Sequence, residues 1–311
     1  MVANELHINM DKCKYMHFRP RCSNDERQTC ARTRLINNEP TLKLLGKKIQ
    51  KVDKVRFLWV IIDDELNWEA QISHLETKLK SSIVMIKRIK KFIPNSEYSK
   101  IYNALFESHI TYCITCWGGI PHYKLQKLFS IQKRCIRLLF GNEPSYDHTQ
   151  FYEKCARTRT YEENMAPKNY CLENTKPLFN ENGILCIYNL YAYQTFMELF
   201  KIMKYRSPIS VYELYKLGNR DVNLLLQLPI VILEKSKCSF IFKSAAIWNR
   251  MVNIVFNKCK PQENGIVIPG SSTDSDMSAS IAVIKNKLKM YILDAQKQGN
   301  KYNWTSDNFQ N

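Results

Sequence analysis

Three groups of residues have types and spacings that could carry chemistry. Asp63-Asp64 is a carboxylate pair of the kind that holds two Mg²⁺ ions for in-line phosphoryl transfer. It closes the apolar run of VRFLWVIIDDELNW (residues 55–68) and precedes a helical pattern. A two-metal site needs a tight hairpin and a third carboxylate from another strand, so catalysis by this pair is not expected. Negative charge ahead of a helix N-terminus is explained by the dipole. His109, Cys113, Cys116 and His122 can be read as a Cys2His2 zinc set. Because His109 to Cys116 falls inside an apolar helical pattern, packing is expected there and no metal. The third group is cationic. Lys80, Lys87 and Lys91 lie within about 40° of one another on a wheel of 100° per residue, and Lys124, Lys127, Arg134 and Arg137 share a broader arc further on. Between Glu69 and Phe140 twelve Lys and Arg face four Glu, a net of +8. Such a face can take phosphates, and it is also what any solvated helix presents. Gly-rich phosphate loops, a G-x-S-x-G elbow and an H-E-x-x-H pair are absent from the sequence.

The composition is that of a folding chain. Of 311 residues, 45% are hydrophobic and 12% aromatic, enough to bury a core. Forty-six Lys and Arg against 29 Asp and Glu leave +17, which favours a polyanionic partner. Eleven cysteines without scaffold-like spacing, and a start that lacks a signal peptide's apolar core, point to free thiols in a reducing compartment, cytoplasm or nucleus. The longest apolar run, near 224–233, is about ten residues and too short to span a bilayer, so no membrane association is expected.

The elements that must position these groups follow from periodicity. Alternation at Leu6, Ile8, Tyr15, Met16 and Phe18 around a polar turn reads as a hairpin, and residues 43–51 as two short strands about Gly46. Residues 55–62 read as one strand. Asn67 is an N-cap, and Ile72, Leu75, Leu79, Ile83, Ile86 and Ile93 form one stripe until Pro94 stops the helix. A second helix runs from Asn95 or Ser96 to Trp117, broken by Gly118-Gly119, and a third from Tyr123 to Phe140 ends at Gly141. Further helices are expected over 188–203 and 281–293 and a linker within 261–280.

Several of these stretches, in order, resemble reverse transcriptases of non-LTR retrotransposons. LHINMDKCKYMHF is similar to the family's LxLNxxKTxxMxF segment, and FLWVIIDDELNW to its FLGVxID…LxW segment, with Trp59 where the family has glycine. HITYCITCWGG resembles HLTYCxxxWG, LQKLFSIQKRCIRLLFG resembles LxxLxxLQKKAxRxI, and FIFKSAAIWNRM resembles the family's strand-then-helix FxYxxxxxWN element.

The resemblance implies a chain that is mostly α with a small β element at its N-terminus. Residues 1–66 would be the end of a polymerase palm with a primer-grip strand, 67–141 a three-helix thumb, and 142–311 a mainly helical C-terminal region. By carry-over, Phe57, Leu58 and Trp59 together with Lys80, Lys87, Lys91, Lys127 and Arg134 would contact an RNA template and DNA primer duplex, and Lys12 would be a remnant of the family's candidate proton donor to leaving pyrophosphate, although without a neighbouring active site an ordinary turn lysine is the expectation. The family's tyrosine-x-aspartate-aspartate turn does not occur here, so Mg²⁺ is expected only for the full-length polymerase. Two readings stand: a C-terminal portion of a reverse transcriptase unable to polymerise alone, or a non-catalytic duplex-binding protein derived from such a thumb.

Overall fold

The computed structural model describes residues 9, 12–18, 42–141, 175–215, 226–229, 238–257 and 274–297. Expectations for Leu6 and Ile8, and for the linker as far as residue 273, lie outside these residues. The chain is mostly helical with a few short strands. It divides into two compact units, 1–74 and 75–311. The division falls inside the helix Glu69–Ile89.

In the first unit β1 (Lys14–Tyr15) pairs in parallel with β4 (Gln50–Lys51), and β2 (Lys43–Leu44) pairs with β3 (Lys47–Lys48) across a turn at Gly46, whose φ of 78° suits glycine. The largest departure from the sequence reading lies in residues 55–62. They form a hairpin of β5 (Lys54–Phe57) and β6 (Val60–Asp63) in place of a single strand, with Phe57 opposite Val60. The turn residues Leu58 and Trp59 have φ of 45° and 67°. These are the signs of a type I′ turn, whose twist matches the strands it joins. A two-residue turn normally announces itself by Asn-Gly or Asp-Gly, and its absence is why the hairpin was illegible.

The junction from β6 into the first helix is held by Asp63, which is 2% exposed. Its Oδ1 accepts from the Asn67 N–H at 2.9 Å and its Oδ2 from the Trp68 N–H at 2.8 Å. These bonds fix a loop in which Leu66 and Trp68 both have positive φ. The expected N-cap at Asn67 is corrected by one residue: the Trp68 carbonyl accepts the first helical bond, from Ile72 N–H at 2.9 Å, and Asn67 Oδ1 accepts from Glu69 N–H at 2.9 Å from just outside the cap. Helix α1 then runs Glu69–Ile89 with Ile72, Leu75, Leu79, Ile83 and Ile86 buried, as the stripe predicts.

The second expected helix is interrupted. A 3₁₀ turn at Asn95–Glu97 leads into α2 (Tyr98–Tyr102), a π-helical segment at Asn103–Glu107, α3 (Ser108–Thr111) and α4 (Ile114–Trp117). The break between α3 and α4 is Cys113, at φ 51°. Apolar spacing survives these changes of pitch, and Tyr102, Phe106, Ile110, Ile114 and Trp117 are all buried. Periodicity gave a helical stretch with Ile101, Leu105 and Tyr112 as its apolar positions, and both its face and its continuity are corrected: Ile101 and Leu105 are half-buried and Tyr112 is 46% exposed. Helix α5 (His122–Phe140) follows as expected.

The centre of the second unit is α7 (Ile187–Tyr205), preceded by α6 (Lys176–Glu181). It is apolar nearly all round, which suits a helix with neighbours on every side. It packs against α3, α4, α5, α8 (Ile209–Tyr212), α9 (Phe240–Asn257) and α10 (Asp274–Lys297). The strand expected within FIFKSAAIWNRM is corrected, since residues 240–251 are helical throughout; β-branched and aromatic residues here face a helical core. Trp248 stacks on Phe196 at 5.0 Å, and the Asn249 amide clasps the Leu226 backbone with two bonds of 2.8 Å. Residues 274–280, expected as linker, are the first turns of α10.

Candidate nucleic-acid interface

The carboxylate pair is not arranged for metals. Asp63 has both oxygens committed to backbone N–H groups of the junction, and the Asp64 N–H bonds the Asp53 carbonyl at 3.0 Å. Among the described residues no group of three or more His, Cys, Asp or Glu side chains converges on a point. Of the His109, Cys113, Cys116 and His122 set, His122 stacks on Tyr188 at 4.2 Å and Cys113 sits at the α3/α4 break. Burial raises the Cys113 thiol above its ordinary value, and neighbouring Cys116 adds to this. Lys12 lies in a turn in which its N–H bonds the Asn9 carbonyl at 3.2 Å.

The aromatic and apolar residues of the carried-over site stand at the tip of the β5–β6 hairpin. Phe57, Leu58 and Trp59 are 60%, 68% and 67% exposed. The Arg56 guanidinium lies 5.2 Å from the Trp59 ring centroid, a cation–π contact. Trp59 occupies the left-handed region where a glycine would be relaxed, and an L-residue there costs roughly 1–2 kcal/mol. Leu58→Asn with Trp59→Gly supplies the residues a type I′ turn favours, and should stabilise the first unit by about 1 kcal/mol after loss of the cation–π contact. Urea denaturation followed by a probe in residues 1–74 measures this; an unchanged or lowered midpoint contradicts the turn assignment.

The basic residues divide into distinct environments. Lys80 is exposed, yet its Nζ is 2.6 Å from Glu76 Oε1, one turn back on the same helix. Lys87 is exposed on the last turns of α1. Lys91 is exposed too, but α1 ends at Ile89 and Lys91 sits in the 3₁₀ turn Lys90–Phe92, so the helical wheel that grouped the three does not extend to it. Lys127 and Arg134 are exposed on α5, seven residues apart and hence on one face. Lys87, Lys91, Lys127 and Arg134 have no ion-pair partner among the described residues, whereas Lys80, Lys100, Lys201 and Lys297 each have one.

Other residues of the matching motifs turn out to be structural. Lys90 Nζ donates to the Leu138 carbonyl at 2.8 Å and lies over the Tyr98 ring. Lys133 is 5% exposed, with its ammonium over Phe129. Gln132, fully buried, was not singled out as a site residue; its signals were its place at the fixed glutamine of the LxxLxxLQKKAxRxI resemblance and its polarity on the apolar face of α5. Its Nε2 donates to Tyr102 Oη and to the Leu185 carbonyl, and its Oε1 accepts from Ile187 N–H, all at 2.9 Å.

No protein-family profile, curated protein or solved structure matches this chain. Among the described residues no helix is long and apolar enough to cross a membrane.

Proposed function

We propose that this chain is a non-catalytic binder of template–primer duplexes, corresponding to the region that follows the catalytic turn in non-LTR retrotransposon reverse transcriptases. The observation that carries this reading is the set of exposed cations without carboxylate partners, Lys87 and Lys91 at the end of α1 and Lys127 and Arg134 on α5. Uncompensated charge of one sign attracts a polyanion and releases its counterions. The ordered motif resemblances name the polyanion as a hybrid of RNA template and DNA primer. With Asp63 committed to a helix junction and no tyrosine-x-aspartate-aspartate turn in the sequence, polymerisation is not assigned to this chain.

Phosphate contacts position a duplex without reading it. Fluorescence anisotropy with several hybrid and DNA duplexes of unrelated sequence should therefore give similar affinities. Replacing Lys80, Lys87 and Lys91 by alanine should weaken all of them alike. The same charge removed at Lys201, Lys285 and Lys287 should cost much less. Equal losses in the two triple variants would reduce the effect to net charge and sink the assignment of a face.

A further inference from the structure

The tip of the β5–β6 hairpin has features that a backbone-holding site does not require. Three consecutive large apolar side chains, Phe57, Leu58 and Trp59, are each at least 60% exposed. Clustered exposed apolar surface marks a contact site more often than isolated residues do. Trp59 is placed at a left-handed position despite its Cβ, and strain of this kind collects where a side chain is needed for function. Arg56 covers part of the indole at 5.2 Å, and Trp59 as a whole stays 67% exposed. Lys54 and Arg56, two residues apart on β5, are both exposed and share a strand face. Over residues 42–57 Lys43, Lys47, Lys48, Lys51, Lys54 and Arg56 stand against Asp53 alone.

A flat apolar face joined to phosphates matches this combination. We propose that the Arg56–Trp59 tip is a stacking site for an unpaired nucleobase, with Trp59 as the platform and Lys54 and Arg56 on the flanking phosphates. A guanidinium-backed indole stacks on any base, so the site is indifferent to sequence. An anionic lipid surface would also attract cations and tryptophan. Inserting this tip would, however, carry the Arg56 guanidinium on the Trp59 ring into the apolar layer, where an unpaired charge is costly. The inference rests on the nucleic-acid reading above and adds to it a single-stranded ligand, held by stacking on a base rather than by phosphate contact alone.

The test uses the full chain and two oligonucleotides of equal length and charge, one of thymidines and one fully abasic. The unmodified protein should bind the thymidine strand about tenfold tighter, as one stacked base provides. Trp59→Gly, which suits the left-handed φ and so keeps the hairpin folded, should abolish that ratio by lowering affinity for the thymidine strand to that for the abasic strand; Trp59→Tyr should keep most of it. Equal binding of the two strands by the unmodified protein, or a ratio that survives Trp59→Gly, overturns the stacking site while leaving duplex binding intact. Failure to bind duplex as well as single strands overturns the nucleic-acid reading and this inference together. Trp59-dependent binding to phosphatidylserine vesicles without any base preference overturns it in favour of a lipid surface.

Discussion

Replacing Gln132 by leucine is expected to cost about 3–5 kcal/mol of stability, a large share of the roughly 5–15 kcal/mol that holds a domain together. The cause is not lost volume, since leucine is close to glutamine in size. The amide joins three groups from different parts of the second unit: Tyr102 Oη on α2, the Leu185 carbonyl ahead of α7, and the N–H of Ile187 at its first residue. Leucine leaves these groups without their partner in the interior, and each stranded group costs about 1–3 kcal/mol. Amide hydrogen exchange at Ile187 should accelerate in parallel with the fall in the urea midpoint. A loss under 1 kcal/mol would mean that water reaches these groups and that the network is not a structural tie.

Trp117→Ala should be of similar or greater size, about 4–5 kcal/mol. Trp117 is fully buried and its Nε1 donates to the Tyr112 carbonyl at 3.0 Å across the Cys113 break. Alanine would open a cavity and strand that carbonyl. The two glycines that follow are shaped to the same packing. A Cβ on Gly118 would lie 2.5 Å from Tyr191 Cδ2, and one on Gly119 2.8 Å from the Cys238 carbonyl oxygen. Collapse into the cavity is thus limited on the side where α7 sits. A Trp117→Phe variant restores most of the volume but not the donor, and should recover most of the loss. If alanine costs no more than phenylalanine, the site is not packed as described.

The two tryptophans show what was legible in the sequence. Trp117 was legible as a packing position through the HLTYCxxxWG resemblance, whereas spacing alone pointed to Ile101, Leu105 and Tyr112; pitch changes three times between residues 95 and 117, so a single helical wheel cannot find the buried side. Trp59 was legible only as a departure at a glycine position. That the position is left-handed, and hence why glycine would suit it, required the hairpin to be seen. Neither the hairpin turn nor the break at Cys113 carries Gly, Asn or Asp, the residues that normally mark such points. Strand residues in FIFKSAAIWNRM misled for a related reason, since burial on α9 favours the same β-branched and aromatic types. Among the cations, sequence could count charge but not its neutralisation. Glu76 pairs with Lys80 one turn apart, and the end of α1 at Ile89 moves Lys91 off the wheel.

The central claim is that the exposed Lys87 and Lys91, without ion-pair partners among the described residues, neutralise duplex phosphates, and the salt dependence of duplex affinity tests it most directly. Each phosphate neutralised adds about −0.9 to the slope of log affinity against log salt on B-DNA. Lys80 is already compensated by Glu76, so the Lys80→Ala, Lys87→Ala, Lys91→Ala variant should flatten the slope by about two units rather than three. A slope that does not change, in a variant that remains folded, would contradict the account.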